Sequence, residues 1–186
     1  MYYTHFLIVI ILIFSVVGFV VRRFYFSCIF HPHTFPSSNN KHSIISYALV
    51  HFNYPHLILN MAVLYLFGID LEIKLVALNM HTVIMPMVFI SAALIGALLN
   101  LSFNKHKIEF SIVGASNGVF GVVAAYLILN PKETIHFMPL AIPNFYLVLL
   151  IAMICLINHK ILKTRIDYFG HLGGLLMGAT LMMIIK

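Results

Sequence analysis

The chain has no tryptophan, two cysteines and only 9% charged residues in 186 positions. Cys28 and Cys155 are too few for a disulfide-stapled secreted fold. Five carboxylates are too few to solvate a surface of this length, and no stretch shows the apolar–polar alternation of a half-buried strand. No internal repeat, low-complexity tail or soluble domain is visible. What remains is apolar: 62% hydrophobic residues and a mean hydropathy of +1.02 lie outside the range of soluble domains and indicate an integral membrane protein.

Six apolar stretches, at 3–21, 54–73, 80–102, 113–129, 143–159 and 166–185, approach the roughly 20 helical residues that cross a ~30 Å hydrocarbon core. They predict one six-helix domain over 1–186. The first stretch lacks a basic leader and a small-residue cleavage site, so it reads as a retained span. Between spans one and two, residues 22–52 mix aromatics with Pro, Ser and Asn, a composition suited to the headgroup level. Asn53 is expected to cap the second span, with Pro55 in its first turn, and Pro86 to kink the third. The net charge of +6 suits lipid headgroups rather than nucleic acid.

Parity turns the list into geometry: spans two, four and six run in one direction. A fourth helix from Ser116 to Leu129 covers only about 21 Å, which leaves Ser116 about 9 Å below the core edge. Counting residues from each helix start puts Asn60 of span two near 9 Å and His171 of span six near 8 Å on the same side. Three polar residues thus share one depth, where an unpartnered polar group is costly.

Each has an ordinary alternative. Ser116 can be a helix cap among packing glycines, and His171 can glue helices together. Gly170, Gly174 and Gly178 on span six, with Gly114, Gly118, Gly121 and Ala125 on span four, offer two small-residue seams for close approach. "GASNG" also fits the G-x-S-x-G elbow of soluble hydrolases, with Asp167 and His171 following in order; that elbow needs a strand and a large sheet, which this chain lacks. A metal site from His51, His56 and His171, with His31 and His33, fits no standard ligand spacing. Acyl transfer is a further reading, ranked above the metal site: Ser116 as nucleophile, His171 as base, and His56 and Asn60, one turn apart, as donors to a developing oxyanion. Asp167, one turn before His171, is expected to be a cap or an interfacial charge.

"HFNYPHLILNM", "GASNGVFG" and "DYFGHLGGLLMG", in that order, resemble the rhomboid family of intramembrane serine proteases over essentially the whole chain. The resemblance implies an all-α, six-transmembrane-helix bundle and a Ser116–His171 dyad. It implies an oxyanion site of His56, Asn60 and the Ser116 N–H, and no metal or cofactor. It further implies that Phe120 packs on the histidine, that Gly114 and Gly174 support the site, that residues 22–52 form a partly membrane-embedded first loop, and that Glu72 helps hold that loop. The expected partners are transmembrane protein substrates and the lipid bilayer, with helix five and the 158–167 loop gating access.

This chain departs from the family pattern in two places: Asn117 stands where G-x-S-G has its last glycine, and the tryptophan–arginine pair of the first loop is absent, with His42 and Ser43 in its place. Charge also opposes the family topology. Arg22, Arg23, Lys41, Lys105, Lys107, Lys160, Lys163 and Arg165, eight of the 11 basic residues, follow spans one, three and five. By the positive-inside rule the site would open to the cytoplasm; the resemblance implies the opposite, in a bacterial plasma membrane, and is the expectation adopted. Competing classes are a non-catalytic rhomboid-like protein that binds membrane helices, and a small transporter, which the lack of repeats and intramembrane carboxylates disfavours.

Overall fold

The computed structural model describes residues 2–137, 140–161 and 167–185; side chains at 135–137, 140 and 155–161 fall outside the description. Among the described residues the chain is helical apart from one hairpin. The α-helices are α1 (Tyr3–Val20), α2 (Arg22–Cys28), α3 (Ser43–Ser46), α4 (Tyr54–Ala77), α5 (Ile84–Asn104), α6 (Ser116–Leu129), α7 (Asn144–Ile161) and α8 (Tyr168–Ile185). Helices α1, α4, α5 and α8 are long and apolar enough to cross a membrane; α6 and the Asn144–Ile154 part of α7 are shorter apolar helices.

The apolar pattern decides which helix is central. Helix α6 buries residues all round, among them Asn117, Val119, Val122, Ala125 and Leu129, because α4, α5, α7 and α8 surround it. Helix α1 buries one stripe, Leu7, Ile11 and Ser15, and exposes Phe6, Val9, Ile13 and Val16. An exposed apolar face of that length suits hydrocarbon rather than water.

Helices α6 and α8 meet backbone to backbone. A Cβ on Gly174 would strike the carbonyl oxygen of Asn117, and one on Gly178 the carbonyl oxygen of Gly121. The glycine stripe predicted on α8 therefore seats against α6. The predicted stripe on α6 is different: Gly118 faces the Phe89 ring on α5, and Gly114 precedes the helix.

Helix ends follow local chemistry. The Asn53 side chain caps α4 by accepting the His56 N–H at 2.8 Å, and Pro55 occupies the first turn. The helix stops at Asn79, whose left-handed φ of 55° lets Met80 N–H reach Leu75 O at 2.8 Å and Asn79 N–H reach Val76 O at 3.0 Å. This turn delays α5 to Ile84. Pro86 is therefore its third residue, in a first turn whose N–H groups need no partner, and not a mid-helix kink. The linker expected at 130–143 instead holds a hairpin, β1 (Thr134–Phe137) antiparallel to β2 (Leu140–Pro143). Residues 162–166 of the expected gating loop, with Lys163 and Arg165, lie outside the described residues.

The first loop is stitched into the bundle. Phe30 exchanges two backbone hydrogen bonds with Ile112, at 3.2 and 3.0 Å, and Gly114 N–H donates to Tyr47 O at 2.9 Å. Phe30 and Tyr47 are buried, while Phe26 and Phe52 stay exposed. Glu72 does not hold this loop. Its buried carboxylate accepts Tyr3 N–H at 2.8 Å, Thr4 N–H at 3.0 Å and Thr4 Oγ1 at 2.6 Å, capping α1 instead. The reason is length: sixteen helical residues put Glu72 about 24 Å from His56, at the other end of α4.

Candidate active site

Ser116 opens α6, so its backbone N–H belongs to the first turn and has no partner within the helix. The preceding residues are fixed by sterics and hydrogen bonds. Gly114 adopts φ +116°, and a Cβ there would enter the His56 ring; only glycine meets both conditions. At Ala115 the N–H donates to His51 Nε2 at 3.2 Å. That bond fixes the tautomer, because a nitrogen that accepts carries no proton. The proton sits on Nδ1 and is donated to Ser15 Oγ at 2.9 Å, and the Ser15 hydroxyl passes its own to Leu49 O at 3.1 Å. Burial, then the neighbouring His56, pushes the His51 pKa down to about 3, so the ring is neutral near pH 7. Both nitrogens are committed, which removes His51 as a metal ligand.

The predicted residues converge from three helices. His171 Nε2 lies 2.9 Å from Ser116 Oγ, and the Phe120 ring centroid is 4.5 Å from that of His171 at 37°. Two cavities meet at this pair. One, of about 620 Å³, is lined by Tyr25, Phe52, His56, Ser111, Ser116 and His171. The other, of about 410 Å³, is lined by Leu59, Asn60, Val63, Val119, Phe120 and Val123, and shares His56, Ser116 and His171. Asn60 faces this second space, with its Nδ2 turned back to donate to His56 O at 2.9 Å. His56 Nδ1 is buried without a hydrogen-bond partner. Glu72 is the one predicted site residue that stands apart.

Asp167 is a cap, accepting Gly170 N–H at 2.8 Å; half-buried at the edge of the larger cavity, its carboxylate also accepts from the Asn100 and Asn117 amides. Sequence reasoning missed the roles of His51, Ser15, Tyr47 and Asn100. Asn100 and Asn104, four apart in an apolar helix, were a readable signal of a polar face turned inward. Ser15 carried none, since its partner lies 36 residues away.

Residues 38–186 match the Rhomboid domain family. A curated relative, Rhomboid protein 1, mitochondrial, of Saccharomyces cerevisiae, is 31% identical over 145 residues, which cover 75% of this chain. The chain spans 40% of that relative's length. The relative's name places it in the mitochondrion, so the expected bacterial plasma membrane draws no support from it. The match runs from the first loop through α8, the stretch that carries the Ser116–His171 contact and most of the apolar helices: this chain is an integral membrane protein of the rhomboid family.

Proposed function

We propose that the chain crosses the membrane six times and hydrolyses peptide bonds in or beside transmembrane segments of other proteins, with Ser116 as nucleophile and His171 as base. The observation that carries this reading is the 2.9 Å contact between Ser116 Oγ and His171 Nε2 where two cavities meet. His171, neutral, takes the hydroxyl proton as Oγ bonds to the substrate carbonyl carbon. It then returns that proton to the amine as the C–N bond breaks. A water, deprotonated by the same ring, releases the acyl group and restores Ser116.

The carbonyl oxygen becomes an oxyanion during both steps and needs fixed donors. The Ser116 N–H is free of the helix, and Asn60 can turn its amide from the His56 carbonyl. An unpaired buried N–H is costly, so the bare Nδ1 of His56 puts that ring's proton on Nε2, available to donate. The apolar lining of Leu59, Val63, Val119 and Val123 suits an aliphatic substrate side chain. An intact substrate helix hides its carbonyls, so substrates should carry Gly, Pro or small residues near the cut.

The test is labelling of purified protein by a serine-directed fluorophosphonate, with Ser116→Ala and His171→Ala controls. Labelling of wild type alone is expected. Equal labelling of all three, or none, would favour the non-catalytic membrane-helix binder.

A further inference from the structure

Asn117 occupies the position next to the candidate nucleophile, is 1% exposed and has no room to move. Its side chain fills the space left by two missing Cβ atoms: one on Gly96 would lie 2.7 Å from Asn117 Nδ2, and one on Gly170 would collide with the same atom and with the Asp167 carboxylate. The amide direction is set by chemistry. Asn117 Nδ2 lies 2.9 Å from Asp167 Oδ2 and 2.9 Å from Tyr47 Oη. A carboxylate oxygen only accepts, and Tyr47 gives its own proton to Ala93 O at 2.7 Å, so both neighbours demand a donor. The NH2 group must face them, and Asn117 Oδ1 is left buried without a partner. An orphaned acceptor costs stability; the fold tolerates it to keep the donor in place.

Asp167 is held equally firmly. Oδ1 takes Asn100 Nδ2 at 2.6 Å and Gly170 N–H at 2.8 Å, and the Asp167 carbonyl starts α8 by accepting the His171 N–H at 3.0 Å. Asn117 follows Ser116 by one residue, and Asp167 precedes His171 by one turn. The amide–carboxylate bond therefore ties α6 to the residue that caps α8, beside the Ser116–His171 contact, and Asp167 lines the same cavity as that pair.

Resting on the proposed peptidase reading, we infer that Asn117 and Asp167 form a clamp that sets the spacing and angle between Ser116 and His171. Both are positioning residues, and the clamp does the aligning that a featureless glycine beside the nucleophile leaves to backbone packing. Asp167 touches no reacting atom; its work is to hold the start of α8 against the residue after Ser116.

The experiment is a donor–acceptor exchange read by fluorophosphonate labelling kinetics in detergent, with thermal unfolding as the check on folding. Asn117→Asp sets two carboxylates face to face and is expected to slow labelling about tenfold or more, in the maximal rate and not in the half-saturating probe concentration. Adding Asp167→Asn restores one donor and one acceptor between the helices, the Tyr47 hydroxyl turning its proton from Ala93 O to the new carboxylate, and is expected to return the rate to within about threefold of wild type. Asn117→Ala removes the donor without adding charge; it is expected to slow labelling without being rescued by Asp167→Asn. A double variant no faster than folded Asn117→Asp, or Asn117→Ala labelling at the wild-type rate, overturns the clamp while leaving the peptidase reading intact. A wild type that does not label overturns the peptidase reading and the clamp with it.

Discussion

His51 Nε2 accepts the N–H of Ala115 at 3.2 Å, one residue before Ser116. Through Nδ1 the same ring reaches Ser15 on α1 at 2.9 Å, so the first helix is linked to the start of the sixth by a single side chain. Replacement with Phe keeps most of the ring volume and removes both bonds. The Ala115 N–H is then buried without a partner, at a cost of about 1–3 kcal/mol. His51→Phe is expected to lower the unfolding temperature in detergent by several degrees and to slow Ser116 labelling; an unchanged transition would contradict the linkage.

The same ring predicts a pH dependence. Its pKa in the folded protein is held at about 3, below the ordinary value near 6.5. Between those values the unfolded chain binds a proton and the folded one does not, so stability falls as pH drops through this window, by about 1.4 kcal/mol per unit where the difference is one full proton. Unfolding measured from pH 7 to 4 should lose this slope in His51→Gln. Equal slopes in both proteins would place the acid sensitivity elsewhere.

Gly114 allows a sharp substitution. Alanine there meets a φ of +116° and the His56 ring together, a strain of roughly 1–3 kcal/mol from the backbone alone. Gly114→Ala is expected to displace His56 and the chain leading to Ser116. Labelling should fall about a hundredfold or more, with stability lowered less severely. Wild-type labelling by a folded Gly114→Ala would show that His56 has room to retreat.

Glu72 provides the opposite pattern. Its carboxylate caps α1 through Tyr3 and Thr4, about 24 Å along α4 from His56. Glu72→Gln keeps one acceptor and loses the charge-assisted bonds, costing about 1–3 kcal/mol. A lower unfolding temperature is expected with an unchanged labelling rate at the growth temperature. A rate loss without a stability loss would tie Glu72 to the site after all.

The positions of most helices were legible because apolar length and polar interruption are local signals. Ser116, Asn60 and His171 were legible as a group because helix parity and rise convert residue number into depth, and His56 because it lies one turn before Asn60. Pro86 was misplaced because the stop at Asn79 depends on one residue adopting a left-handed conformation, which spacing does not announce. Glu72 was misassigned because its partners, Tyr3 and Thr4, lie 69 and 68 residues away and α4 carries it to the far end of the bundle. Asn117 was conspicuous as a departure, but its partners Tyr47 and Asp167 emerge only once the first loop, α6 and α8 are packed. Polar pairings between distant segments are set by tertiary structure, and one sequence read alone carries little trace of them.

The stitching of residues 112, 114 and 115 to the first loop has an entropic consequence. Three consecutive anchors, at Phe30, Tyr47 and His51, hold the strand of backbone that delivers Ser116. Fixing each residue of a free segment costs about 1–2 kcal/mol, and here that ordering is completed when the protein folds. Under the proposed peptidase reading, a substrate arriving at Ser116 meets a backbone segment whose ordering these anchors have already completed.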